Sequence, residues 1–193
     1  MFKVAVLVGS IRPNSTNMKF AKALEKLAVG RLQFEFIDLA ALPFYDETLW
    51  DNPPAAVVAL KQQIADADAV LFVTPEHNRS IPGVLKNAID WPSRPYGQSV
   101  WAGKPAAIVG ATPGAIGTAV AQSHLRSIIS VLDMVVMGQP EIYFTVKPGL
   151  VDENYLVTDD KTRDFLGGWV TKFSSFIERF ATPRPVELKI AAE

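Results

Sequence analysis

The chain has 193 residues, 49% of them hydrophobic, and a formal net charge of −1, which indicates a globular protein of one domain or at most two small ones. It has no cysteine, so disulfides, thiolate nucleophiles and cysteine-ligated metals are excluded. The lysines and arginines form no run, and no apolar stretch reaches the roughly 18 residues that span a bilayer, so we expect neither a nucleic-acid partner nor a membrane anchor. The lack of cysteine is compatible with the cytoplasm, which is the compartment we expect.

Apolar runs alternate with amphipathic segments along the chain. Continuous apolar runs favour strands that are buried on both faces. Such runs predict strands at residues 4–8, 69–73 and 105–111. Alternation of apolar and polar side chains predicts a strand at residues 32–39, and a short fifth strand is predicted at residues 141–144. Helices are predicted where apolar residues recur every three or four positions. The predicted helices are residues 17–28, 54–67, 81–91, 117–132 and 159–180.

The last predicted helix carries an aromatic stripe, which we interpret as core packing. Its members are Phe165, Trp169, Phe173, Phe176 and Phe180. The stretch 182–193 contains two prolines and is predicted to be a surface tail. This leaves residues 1–181 as the single expected domain.

Five repeats of strand and helix predict an α/β fold with a parallel sheet between two layers of helices. This rhythm fits a flavodoxin-like three-layer sandwich with a five-stranded parallel sheet of order 2-1-3-4-5. Ligands of such sheets bind beyond the carboxyl ends of the strands, near the point where the strand order reverses. The loops that follow residues 8, 73 and 111 are therefore the candidate site.

The first loop, GSIRPNSTN at residues 9–17, joins a buried strand to a helix. Ser10, Ser15, Thr16 and Asn17 offer polar groups next to helix N–H groups, and Arg12 adds a cation, which together favour an anion site. The alternative is an ordinary helix cap, for which one such residue is enough. Neither a Walker lysine nor a G-x-G-x-x-G fingerprint is present, so a monophosphate such as that of FMN fits better than a triphosphate.

The second loop follows the third strand and reads PEHNRS at residues 75–80. Pro75 stiffens the exit from the strand, and Ser80 is predicted to cap the next helix. The residues between them are Glu76, His77, Asn78 and Arg79. A rigid loop with exposed amides can lie beside a flat heteroaromatic ring. The alternative is a capped connector whose polar residues are merely solvated.

The third loop, GATPGAIGT at residues 110–118, is rich in glycine. Thr112, Gly114 and Gly117 permit a close approach of the backbone to a ligand. Glycine-rich turns before helices are common, so this signal is weak by itself. Its expected place at the same sheet edge as the other two loops strengthens it.

Other residues that often carry chemistry have simpler interpretations here. His77 has no G-x-S-x-G nucleophile to serve as a base, and His124 is expected on a helix surface or at an interface. No metal site is expected, since the two histidines lack H-x-x-x-H spacing. Lys86 and Asp90 stand four residues apart and are expected to form an ordinary helix ion pair.

These motifs support a resemblance to a known family. GSIRPNSTN and PEHNRSIPGVLKNAIDW, with GKPAAIVGATPGAIGT further along, closely resemble the NADPH-dependent FMN reductase family over residues 1–145. That family includes flavin-dependent quinone, chromate and azo-dye reductases. The resemblance implies a tightly bound FMN, hydride transfer from NADPH or NADH to flavin N5, and delivery of two electrons to an acceptor by ping-pong turnover. No catalytic side chain is obligatory, because the flavin carries the chemistry.

The resemblance also implies roles for particular residues. Ser10, Arg12, Ser15, Thr16 and Asn17 match the family's phosphate loop. The loop beside the flavin ring is matched by Pro75, Glu76, His77, Asn78 and Ser80, and the turn on its far side by Thr112, Gly114 and Gly117. Independently of the resemblance, Arg79 or Arg94 is a candidate contact of the extra phosphate of NADPH, since guanidinium pairs well with phosphate. A homodimer or homotetramer is implied, with Arg126 and Glu141 at the interface.

The chain departs from the family pattern at position 77, where many relatives carry tyrosine and this chain carries histidine. The sequence therefore leaves the acceptor open, as it does the choice between NADH and NADPH. Two other functions stay open as well: an electron carrier of the flavodoxin type and a flavin-binding regulatory module without turnover. Such carriers are usually strongly acidic, unlike this chain, and rapid NAD(P)H oxidation would exclude a regulatory module.

Overall fold

The computed structural model describes residues 1–181, and the predicted tail at 182–193 lies outside them. The strands are β1 (Phe2–Val8), β2 (Leu32–Phe36), β3 (Ala69–Val73), β4 (Pro105–Thr112), β5 (Val135–Val136) and β6 (Ile142–Thr145). The helices are α1 (Thr16–Leu27), α2 (Ala55–Asp66), α3 (Gly83–Asp90), α4 (Ala119–Val131) and α5 (Asp160–Phe180). Short 3-10 helices occupy Glu47–Asp51 and Trp91–Ser93.

The strands form one parallel sheet whose order is β2-β1-β3-β4-β5, which confirms the predicted order. In the register, Val4 stands opposite both Phe34 of β2 and Ala69 of β3. β1 and β3 lie side by side at the centre of the sheet. The strand order reverses between them, because β2 lies on the outer side of β1 and β4 on the outer side of β3. The loops after β1 and β3 therefore meet at the reversal point, as predicted.

The fifth position of the sheet is shared by two short strands. β5 pairs with Pro105 and Ala106 at the start of β4, whereas β6 pairs with the segment from Val109 to Thr112 at its end. The sequence analysis predicted β6 alone. A strand of two residues is too short to display the periodicity from which strands are predicted.

The sheet is buried on both faces, as its apolar strands predicted. Val4, Val6 and Val8 point into a core that is covered by α1 and α5. Ala5 and Leu7 point to the opposite core, which is covered by α2, α3 and α4. The result is the three-layer arrangement expected for a flavodoxin-like fold.

The prediction for the aromatic stripe of α5 was partly wrong. Phe165 and Phe180 are 49% and 39% exposed. The buried residues of the helix are Leu166, Trp169, Val170, Phe173 and Ile177. The aromatic stripe and the buried face of α5 overlap only in part, because the buried face also includes the aliphatic residues beside the stripe.

None of the helices within residues 1–181 combines the length and the apolar character that a membrane crossing requires.

Candidate active site

The three predicted loops meet beyond the carboxyl ends of β1, β3 and β4, where they line a cavity of about 280 Å³, here called the three-loop cavity. The predicted residues in its wall are Ser10, Arg12, Ser15, Thr16, Asn17, Pro75, Glu76, His77 and Thr112. Ala111 and Pro113 also line it and were not predicted. The predicted residues outside its wall are Asn78, Arg79, Ser80, Gly114 and Gly117.

The N-terminus of α1 opens into this cavity. Ser15 is the N-cap, and its hydroxyl accepts a hydrogen bond from the N–H of Met18 at 3.2 Å. The backbone N–H groups of Thr16 and Asn17 have no hydrogen-bond partner among residues 1–181, and Arg12 forms no ion pair there. Two free N–H groups and one cation make this end of the helix a site for an anion.

The side chain of Asn17 anchors α1 to the sheet. Its Nδ2 donates to the carbonyl of Ala111, and its Oδ1 accepts from the N–H of Ala111, both at 2.9 Å. The last backbone hydrogen bond that this edge of β4 accepts comes from the N–H of Thr74. Its acceptor is the carbonyl of Val109, two residues before Ala111, at 2.9 Å. The side chain of Asn17 thus pairs with β4 where a further β3 residue would otherwise do so. The backbone N–H of Asn17 stays available for a ligand.

The second loop is a tight hairpin. His77 and Ser80 exchange both backbone hydrogen bonds at 2.9 Å, and the two residues between them, Asn78 and Arg79, both have positive φ values. This is the pattern of a type I′ turn. Ser80 does not cap α3 as predicted, since that helix starts at Gly83 without a side-chain cap. The hydroxyl of Ser80 instead lies 3.2 Å from Nδ1 of His124 on α4.

Glu76 caps a helix that is remote in sequence. Its Oε2 accepts hydrogen bonds from the N–H groups of Val120 at 3.0 Å and Ala121 at 3.2 Å. Thr118, the local N-cap of α4, makes no such bond, and its hydroxyl accepts from the side chain of Gln122 instead. The carboxylate of Glu76 is therefore engaged in holding the second loop against α4, and its other oxygen lies 3.3 Å from Arg79.

Gly114 and Gly117 of the third loop differ in whether contacts within the protein require a glycine. A Cβ at Gly117 would lie 2.6 Å from the carbonyl oxygen of Tyr143, and the φ of Gly117 is +63°. Contacts within the protein thus explain this glycine. A Cβ at Gly114 would meet only the Thr112 hydroxyl, at 3.6 Å. The protein itself does not require glycine at 114.

The polar residues farther from the cavity pair with one another. Arg126 and Glu141 form an ion pair at 3.2 Å, and the buried Nε of Arg126 has no hydrogen-bond partner within the described part of the chain. Burial and the adjacent Glu141 carboxylate raise the pKa of Tyr143. Lys86 and Asp90 form the expected ion pair at 2.7 Å. Residues 1–181 hold no cluster of three or more histidine, aspartate or glutamate side chains that could bind a metal.

Comparison with known proteins agrees with this architecture. The model of the NADPH-dependent FMN reductase family matches residues 2–148. A 2-hydroxy-1,4-benzoquinone reductase from Burkholderia sp. is 50% identical over 175 residues, which cover 91% of this chain and 96% of the relative. A quinone reductase from Escherichia coli K12 is 42% identical over 181 residues, covering 92% and 96% of the two chains.

Among solved structures, the flavoenzyme NAD(P)H:(acceptor) oxidoreductase FerB from Paracoccus denitrificans superposes with a TM-score of 0.92 at 46% identity. The match covers 94% of this chain and all of that one. This chain therefore belongs to the NADPH-dependent FMN reductase family, and it is an oxidoreductase whose cofactors are FMN and NAD(P)H.

Proposed function

We propose that this protein passes hydride from NAD(P)H to bound FMN and then reduces a quinone-type acceptor, with both half-reactions alternating at the three-loop cavity. The observation that carries the proposal is the open N-terminus of α1, which faces this cavity with two free N–H groups and Arg12 beside it. The names of the relatives, a benzoquinone reductase and quinone reductases, support a quinone as acceptor. Chromate and azo compounds are further acceptors within the proposal.

The residues present fit FMN. Its phosphate would be held by the N–H groups of Thr16 and Asn17, the Ser10 hydroxyl and the Arg12 guanidinium, since several N–H donors and a planar cation suit a phosphate. Other family-matched residues proposed for the flavin site are Ser15, Asn78, Ser80, Gly114 and Gly117. When bound, FMN supplies the redox chemistry, accepting hydride and returning two electrons.

The chain contributes position, and no side-chain acid or base is obligatory. Pro75 and the I′ turn fix the second loop, and Glu76 fastens that loop to α4. Oε2 of Glu76 is occupied by two N–H groups, so the role we assign to this carboxylate is to hold the loop. His77 is exposed in the cavity wall, at a position where the family resemblance implies tyrosine in many members, and we assign it an influence on acceptor choice.

The proposal extends to assembly and compartment. Arg126 and Glu141, which form an ion pair at 3.2 Å, are proposed to lie at the interface of a homodimer or homotetramer, because they match positions that make polar contacts across a subunit interface in similar proteins. We propose the cytoplasm as the compartment, because a chain without cysteine gains nothing from an oxidising one. Sedimentation of the wild type and of Arg126→Ala tests the assembly.

The test of the function is an anaerobic visible spectrum of the protein reconstituted with FMN and desalted, before and after NADPH is added. Flavin absorbance that is retained and then bleaches within seconds supports the proposal, and reoxidation by a benzoquinone completes it. Bound flavin that NADPH does not bleach would indicate an electron carrier or a regulatory module. Loss of all flavin on desalting would contradict the assignment of the three loops.

A further inference from the structure

A second and larger cavity adjoins the three-loop cavity. Its volume is about 880 Å³, and its walls are the loop at residues 10–15, the start of α1, the segment at residues 36–40 after β2, and two residues of the segment 151–157. We call it the β2 cavity. It shares Ser10, Arg12 and Ser15 with the three-loop cavity. A long ligand could therefore contact both cavities across this loop.

The walls of the β2 cavity combine three kinds of group. Arg12 and Lys19 are exposed cations, and neither forms an ion pair with any residue between 1 and 181. Asp38 and Glu153 supply carboxylates, and Tyr155 supplies an aromatic ring. Unpaired cations suit phosphates, carboxylates accept from sugar hydroxyls, and an aromatic side chain offers a stacking surface for a base.

Tyr155 is held in place by a short hairpin. Val151 and Val157 pair as an isolated bridge and are buried, while Oδ1 of Asp152 accepts from the N–H groups of Asn154 at 2.9 Å and Leu156 at 2.8 Å. Tyr155 has a φ of +63°, which is rare for a bulky residue and persists only where the surroundings impose it. Tyr155 is 39% exposed and lines the cavity wall.

We propose that the β2 cavity binds the adenosine diphosphate half of the nicotinamide dinucleotide. Tyr155 stacks on the adenine, and Lys19 faces the phosphates, while Arg12, on the wall that the two cavities share, holds the FMN phosphate. The inference rests on the proposed function, because the donor must bring its nicotinamide to the flavin and place its remaining half in adjoining space. The β2 cavity adjoins the flavin site and carries the groups that this half needs.

The first test is direct binding of ADP to the FMN-loaded protein by calorimetry, which needs no turnover. Wild-type protein should bind ADP with FMN in place, and Tyr155→Asn, which keeps a residue that tolerates positive φ, should weaken binding about tenfold. Leu156→Asn is the matched control, since Leu156 is 52% exposed in the same hairpin but does not line the cavity. It should bind ADP as the wild type does.

Two results of this titration would overturn the proposal. One is the absence of ADP binding to the FMN-loaded wild type. The other is ADP binding only when FMN is absent, which would place ADP in the three-loop cavity. An equal loss in Leu156→Asn and Tyr155→Asn would also reject Tyr155 as the stacking residue.

The second test compares NADH with reduced nicotinamide mononucleotide, which lacks the adenosine half. Tyr155→Asn and Lys19→Gln should raise the KM for NADH about tenfold and fivefold, and should change the KM for the truncated donor less than twofold. Lys147→Gln, an exposed lysine outside the β2 cavity, controls for charge. Equal effects on both donors would overturn the inference, whereas a wild type that oxidises neither donor would instead defeat the proposed function.

Discussion

Helices α1 and α4 begin at the same edge of the sheet, yet their N-termini are used in opposite ways. At α1, the N–H groups of Thr16 and Asn17 face the three-loop cavity without a partner among the described residues. At α4, the N–H groups of Val120 and Ala121 are both occupied by the carboxylate of Glu76. A helix N-terminus attracts anions in either case. The N-terminus of α4 binds a carboxylate of the protein itself, whereas the N-terminus of α1 is open to an anionic ligand.

In this protein, the neighbouring loop and not the helix decides whether a helix N-terminus becomes a binding site. The second loop lies beside both helices and supplies a carboxylate to only one of them.

Asn17→Ala should have the largest effect. The substitution leaves the N–H and the carbonyl of Ala111 buried without partners, which should lower the free energy of unfolding by about 3 kcal/mol and weaken FMN binding. Urea unfolding of the FMN-free protein and FMN titration measure the two effects.

Asn87→Ala is the matched control for Asn17→Ala, because the Asn87 amide also bonds two backbone groups, the N–H of Tyr45 at 2.8 Å and the carbonyl of Pro43 at 2.9 Å. It should lower stability while leaving the FMN dissociation constant within twofold. The anchoring role fails if Asn17→Ala is no less stable than an average surface variant.

Glu76→Ala should have the second-largest effect. It uncaps α4 and frees the second loop, so we expect a stability loss of about 1 kcal/mol and weaker FMN binding. Glu76→Gln, which keeps an acceptor oxygen, should recover part of both losses. Thermal unfolding and fluorescence titration with FMN are the measurements.

Asp159→Ala controls for the loss of a carboxylate cap as such. Asp159 accepts from the N–H of Thr162 at 2.8 Å at the start of α5, and the hydrogen bond from the Thr162 hydroxyl lowers its pKa. This variant should lower Tm without changing FMN affinity. If it weakens FMN binding as much as Glu76→Ala does, the effect of Glu76 reflects stability alone.

Arg12→Gln should leave stability unchanged, since Arg12 is exposed and forms no ion pair within residues 1–181. FMN affinity should fall about tenfold, as expected for the loss of one charge-assisted contact to a phosphate. Riboflavin, which lacks the phosphate, should bind both proteins equally. An equal loss for riboflavin would mean that Arg12 does not face the phosphate.

Gly114→Ala should have the smallest effect. The added Cβ has room within the protein, so the free energy of unfolding should change by less than about 0.5 kcal/mol. If the ligand passes this loop closely, FMN affinity falls about threefold. Gly117→Ala should instead destabilise the protein strongly, because its Cβ would overlap the backbone of Tyr143. Unchanged FMN affinity in Gly114→Ala would remove Gly114 from the site.

Much of the fold and the place of the site followed from the sequence by itself. The apolar runs fixed the strands because the sheet is buried on both faces, and strand–helix alternation left few orders for a parallel sheet. The polar loop at residues 9–17 was predicted as an anion site because its signal is local. Nine of the predicted residues line one cavity, because the carboxyl ends of the parallel strands β1, β3 and β4 meet at one edge of the sheet.

Only the tertiary structure shows what the side chains of Asn17 and Glu76 bind. Asn17 was predicted to bind phosphate and Glu76 to lie beside the flavin, but their side chains bond groups that are 94 and 44 residues away. Contacts of that sequence separation leave no periodic or local signature. They depend on where β3 ends and where α4 begins in space, which the sheet settles once the strands have paired.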